Sequence, residues 1–218
     1  MSIVKRTRLV KPQYRSPLRE AQAERTRRGI ISVAARLFAE RGYVATSIDD
    51  IAGAAQVSRA TVFNSVGGKG QLLKTAFDVA LVGDDVPTTL PERQRSRAIR
   101  AEPDARRYLA SYAELLTEIG ERLGPISEAV RSAAGADPDA RLLWTKHQAE
   151  RRIGAANVVA DVVAKGRLRK GLTREQAADI VWVLNSPGLH YDLVLGREWP
   201  PRRFTEWLAD TLQRQLLG

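Results

Sequence analysis

The chain has 218 residues, 44% hydrophobic and 28% charged, with a formal net charge of +10 and no cysteine. That length can bury a sizeable core, and the absence of cysteine excludes disulfides and thiolate metal sites and agrees with a reducing compartment. No apolar run approaches the roughly 20 residues of a membrane span, and no apolar block follows the basic start as a secretory signal requires, so the cytoplasm is the expected location.

The charge is concentrated at the start. Residues 1–30 hold nine lysines and arginines against Glu20 and Glu24, a density that suits either a solvated tail or an arm that follows a polyanion. Pro12, Pro17 and the lack of a sustained period mark residues 1–23 as a flexible basic arm. From about Glu24 the pattern is helical, with Ile30, Ile31, Ala34, Ala35, Leu37 and Phe38 on one stripe. Gly42 stands where helices end on a left-handed residue. Thr46 and Ser47 are N-caps for a short helix carrying Ile48, Ile51, Ala52 and Ala55, with Asp49 and Asp50 in its dipole-favoured first turn. A turn through Gln56 and Val57 leads to Ser58, another N-cap, and a third helix from Arg59 to about Ser65. Gly67-Gly68-Lys69-Gly70 then opens a fourth helix with Leu72, Leu73, Ala76, Phe77 and Ala80 on its apolar face.

Residues 83–103 contain three prolines and many charges and read as a linker. Beyond it the periodicity predicts helices over about 104–123, 125–134, 138–165, 173–195 and 202–217, punctuated by prolines and glycines. Pro187 should kink or interrupt the penultimate helix, because it lacks an N–H and clashes with the preceding turn. No alternating β-branched run supports a sheet. The expected fold is all-α: a three-helix helix-turn-helix domain within residues 24–84, then a larger helical domain over residues 85–218.

Short second and third helices joined by a tight turn describe a helix-turn-helix, whose third helix enters the major groove by its N-terminal end. SRATVFNS suits that role. Ser58, Arg59, Thr61 and Asn64 offer hydrogen-bonding groups on one side, while Val62 and Val66 can pack toward Ile51 and Leu37. Arginine pairs with guanine and asparagine with adenine in that groove. Arg25, Arg27 and Arg28, which end the basic stretch, become candidates for DNA contact.

The run AARLFAERGYVATSIDDIAGAAQVSRATVFNSVGGKGQLL resembles the N-terminal domain of the TetR family of transcriptional regulators. The resemblance lies in Ala35, Leu37-Phe38, Gly42-Tyr43, Thr46-Ser47, Asp50-Ile51-Ala52, Ala55, Val57-Ser58, Thr61, Lys69 and Leu72-Leu73. The ending, AADIVWVLNSPGLHYDLV and WLADTLQRQLL, is similar to the last two helices with which many members dimerise. The resemblance implies a homodimer on a roughly palindromic double-stranded operator, and a C-terminal domain that binds a small-molecule effector and then releases DNA. It assigns DNA contacts to Arg59, Ala60, Thr61, Phe63 and Asn64, places Thr46 and Ser47 beside the backbone, and sets Lys69 against a phosphate. The chain departs from the pattern at Ala60, where members usually carry glycine, and at Phe63-Asn64-Ser65-Val66, where an aromatic-polar-aromatic-aromatic run is common. It departs again at Gly70, where an acidic residue usually follows the lysine.

In the second domain, Ile180 and Leu184 on one helix and Phe204, Trp207, Leu208, Thr211 and Leu212 on the last are the candidate dimer interface. Tyr108, Tyr112, Trp144, His147, Arg151, Trp182 and Asn185 are the candidate effector residues, aromatic and polar groups among apolar ones. His147 and His190 have no partner at metal-ligand spacing, so neither a metal nor a cofactor is expected. The GGKG turn also raises a nucleotide-dependent enzyme. That reading fails on context, because a phosphate-binding loop follows a strand and carries Ser or Thr where Gly70 stands. An activator or a DNA-binding protein without effector is left as the alternative to a repressor.

Overall fold

The computed structural model describes residues 17–218, and the basic residues Lys5 to Arg15 lie outside them. Ten α-helices make up the described chain: α1 (Pro17–Arg41), α2 (Ile48–Ala54), α3 (Arg59–Ser65), α4 (Lys69–Val82), α5 (Gln94–Ala101), α6 (Ala105–Ala133), α7 (Pro138–Lys165), α8 (Arg174–Leu184), α9 (Pro187–His190) and α10 (Pro201–Leu216). An isolated antiparallel pair, Leu168 with Leu217, ties the loop after α7 to the end of α10.

Helix α1 starts earlier than its periodicity indicates. Pro17 is its first residue, where a missing N–H costs nothing. Residues 17–23, expected to belong to the arm, are therefore helical and continue into the stretch that carries Arg25, Arg27 and Arg28. No residue from Pro17 to Gly29 is buried, so this half of α1 carries no apolar stripe to read. The second half buries Ile30, Ile31, Ala34, Leu37 and Phe38 against α2, α3 and α4.

The caps set the next helices. Ser47 accepts from the Asp50 N–H at 3.0 Å while the Asp50 carboxylate accepts from the Ser47 N–H at 2.8 Å, a reciprocal capping box. Thr46 is not the cap. It is fully buried, and its hydroxyl lies within hydrogen-bond distance of the Leu37 and Gly42 carbonyls, locking the end of α1 to the start of α2.

The segment over residues 83–103 is more ordered than a linker. A tight turn at Leu90–Glu92 and helix α5 lie there, with Ile99 buried against the core. Helix α6 passes through Pro125 without breaking, joining two expected segments into one of 29 residues. Leu123, Ile126 and Val130 are buried around that proline, and their packing outweighs one lost backbone hydrogen bond. Around α6 pack α4, α7, α9 and α10. The chain does break before Pro187: Asn185 ends α8, and α9 runs into a widened π-helical stretch at Tyr191–Gly196. Helix α10 then buries Phe204, Leu208, Leu212 and Leu216 inside its own chain.

Candidate nucleic-acid interface and effector region

Helix α3 owes its orientation to one residue. Val62 is completely buried, against a core that includes Ile51 and Leu37, so the opposite face must point outward. Ser58, Arg59, Ala60, Phe63 and Asn64 are all exposed there, and Thr61 is half-buried. Ser58 caps the helix by accepting from the Thr61 N–H at 3.0 Å, which leaves Arg59 as its first residue. Arg59 rests 2.8 Å from Asp49 of α2 and lies over the Phe63 ring. An exposed pair of this kind is worth about 0–1 kcal/mol, so the guanidinium is readily drawn off by a phosphate or a base.

At Ser65 the end of α3 meets α1. The Arg27 guanidinium donates to the Ser65 carbonyl at 2.6 Å, placing a cation at the C-terminal end of α3, where the helix dipole favours one. Arg28 lies 3.4 Å from Asp85, and Arg25 is exposed.

Lys69 is the first residue of α4, after a turn in which Gly67 has φ 116°, a left-handed value that suits glycine. Its ammonium donates to the Val44 carbonyl at 3.2 Å and sits over the Tyr43 ring, and burial lowers its pKa. The Tyr43 pKa is pushed up to about 12 by burial and then by Asp137 and Asp139 at the start of α7. Asp139 also explains the missing acid after the lysine. A Cβ at Gly70 would stand 2.1 Å from its Oδ2, so a side chain at residue 70 fits only where the Asp139 carboxylate swings away. No local sequence signal could have paired Gly70 with Asp139.

The structure brings five of the seven candidate effector residues together, between α6, α7 and α8. The Tyr108 and Tyr112 rings stack with centroids 6.5 Å apart, and the Tyr108 hydroxyl donates to Asp161 at 3.0 Å. Asn185 Nδ2 donates to the Tyr112 hydroxyl at 3.4 Å. Arg151 donates to Asn185 Oδ1 through Nε at 3.1 Å and Nη2 at 2.8 Å, to Gln148 Oε1 at 2.7 Å, and to the Trp182 carbonyl. His147 faces elsewhere, with its ring 4.7 Å from that of Phe77 in α4. Trp144 is half-buried on α7, away from these hydrogen bonds. Two shallow surface clefts, along residues 169–180 and at the seam of α6 with the chain end, include none of the seven.

Three of the candidate dimer residues do not face outward. Phe204, Leu208 and Leu212 fill the space between α10 and its own chain, with the Phe204 ring 5.0 Å from His190. Ile180, Leu184, Trp207 and Thr211 remain half-buried, and Val183 beside them is exposed.

A capped helix-turn-helix with an outward polar face is thus joined to a helical body. Residues 30–76 match the family model described as bacterial regulatory proteins, tetR family. The transcriptional regulator CymR of Pseudomonas putida is 29% identical over 175 residues, 78% of this chain and 80% of that protein. The repressor Rv3405c of Mycobacterium tuberculosis is 34% identical over 122 residues, 52% of this chain and 63% of that protein. In fold, the chain is similar to NalD, the secondary repressor of the MexAB-OprM multidrug efflux pump in Pseudomonas aeruginosa. The likeness has a TM-score of 0.66 at 24% identity and covers 90% of this chain and 98% of that one. The chain thus resembles TetR-family transcriptional regulators in residues 30–76 and shares their fold beyond them.

Proposed function

We propose that this chain is a repressor that binds a roughly palindromic operator as a homodimer and releases it when a small molecule binds among α6, α7 and α8. The observation that carries the reading is the α3 face: Val62 is buried while Arg59, Ala60, Phe63 and Asn64 are exposed. In this reading Asn64 and Arg59 contact bases, and Ser47, Ser58, Thr61 and Phe63 lie along the backbone. Lys69 turns from the Val44 carbonyl to a phosphate, and Arg25 and Arg28 extend the basic surface. Residues 24–84 then form the DNA-binding unit and residues 85–218 the effector and dimer unit. Ile180, Val183, Leu184, Trp207 and Thr211 supply the apolar surface for a second copy, which would give the operator its two-fold symmetry. Phe77 against His147 links the DNA-binding unit to the helix that carries Arg151. Among the described residues no helix is long and apolar enough to cross a membrane, and the proposed place of action is the cytoplasm.

The test is selection of bound DNA from a random library. A two-fold symmetric sequence should emerge. Asn64→Ala should change the preferred base at one position of each half-site, at about 1–3 kcal/mol, while Lys69→Ala should weaken all sequences alike. Enrichment of no sequence, or a switch of these two effects, would overturn the reading.

A further inference from the structure

Arg151 is the odd member of the cluster between α6, α7 and α8. Its guanidinium is drawn from solvent far enough that burial pushes its pKa down to about 10. Yet every acceptor it reaches is neutral: the Asn185 and Gln148 side-chain oxygens and the Trp182 carbonyl. Among the described residues no carboxylate lies within ion-pair distance of it. On the same helices, Asp161 accepts from Tyr108 and Asp179 pairs with Arg152. A guanidinium removed from water is normally matched by an anion, because neutral acceptors return only part of the lost hydration.

The surroundings are also rich in donors. The Trp182 indole N–H is buried with no acceptor, and its ring lies 5.4 Å from the Arg151 guanidinium carbon. The two Arg151 donors that converge on Asn185 Oδ1, Nε and Nη2, form the edge that binds a carboxylate by two parallel hydrogen bonds. That edge is held by one neutral amide oxygen, at the break between α8 and α9.

We propose that Arg151 is the anchor for a small organic carboxylate, which takes the Nε–Nη2 edge from Asn185 while the Trp182 ring flanks it. This rests on the reading of the region as an effector site and specifies the charge and head group of its ligand. Displacing Asn185 acts on the α8–α9 junction, so carboxylate binding changes the local helix geometry as well as neutralising the cation.

The experiment measures thermal shift and calorimetric binding of benzoate, phenylacetate and octanoate, each beside its carboxamide. It uses the full chain and the variants Arg151→Gln and Asn185→Asp. At least one carboxylate should raise the melting temperature saturably, with its amide at least tenfold weaker. Arg151→Gln should lose at least tenfold in affinity for that carboxylate. Asn185→Asp, which supplies a counter-ion within the chain, should lose it too while melting higher than the native protein without ligand. No response to any carboxylate, equal response to acid and amide, or retained binding in either variant overturns the proposal. Binding to the DNA selected above is measured in parallel and separates the two claims. A neutral compound that releases DNA while carboxylates fail sinks the anion site alone. A carboxylate that binds through Arg151 but leaves DNA affinity unchanged sinks effector release and leaves the anion site standing.

Discussion

His147 is held neutral in the seam between α4 and α7. Burial first, and the Arg151 charge second, push its pKa down to about 4, and its Nε2 has no hydrogen-bond partner. In the unfolded chain the group returns to its ordinary value near 6.5. The unfolded state therefore takes up the proton first as the pH falls. The stability this histidine allows is intact above about pH 6.5 and is lost progressively down to about pH 4, a loss of about 2 kcal/mol by pH 5. Urea unfolding at pH 7 and pH 5 measures it: the native protein should lose that much more than His147→Gln, and equal losses would refute the assignment. His190, also lowered by burial, adds to the acid sensitivity of both proteins alike. The sequence displayed His147 as a candidate effector residue, but it could not show that it packs on Phe77 or that His190 packs on Phe204. Those contacts join segments far apart in the chain.

Helix α6 accepts its neighbours through glycine. A Cβ at Gly120 would stand 2.4 Å from the His190 ring, so α9 can lie on α6 only while residue 120 has no side chain. Gly120→Ala should destabilise the protein by about 1–3 kcal/mol through overpacking. Gly154→Ala in α7, with no atom near its added methyl, should be neutral or stabilise by up to about 1 kcal/mol. Denaturant midpoints of the two variants test the pair, and equal shifts would show that the contact does not matter. Elements were legible in the sequence wherever one face alone is buried and a cap stands at the end. The Ile30-to-Phe38 stripe, the Ser47 and Ser58 caps, the break at Pro187 and the outward face of α3 all follow that logic. The first turns of α1 escaped because an all-exposed helix has no apolar period. Pro125 misled because burial on both sides of it decides the outcome. Phe204, Leu208 and Leu212 form a stripe that identifies a buried face without saying whether the same chain or a second copy covers it.

Across the whole molecule, α1 and α4 pack along α6, and α4 also meets α7, joining the helix-turn-helix to the body. Gly70 abuts Asp139, Phe77 abuts His147, and Arg122 donates to the Ala80 carbonyl at 3.2 Å. The first of these is the least forgiving, since a Cβ at residue 70 would also stand 3.1 Å from the Asp139 Cβ. Gly70→Ala should therefore swing the Asp139 carboxylate aside and press the first turn of α4 away from the first turn of α7, carrying Lys69 with it. Such overpacking costs about 1–3 kcal/mol of stability, and it should reduce affinity for the selected DNA without changing the preferred sequence, because α3 is untouched. Asp139→Ala removes the carboxylate that collides, so the double variant should recover most of both losses. A double-mutant cycle reads that recovery as a coupling energy of about 1 kcal/mol or more. Strictly additive effects would mean that the two residues do not set the spacing of α4 and α7, and a changed base preference would mean that the strain reaches α3.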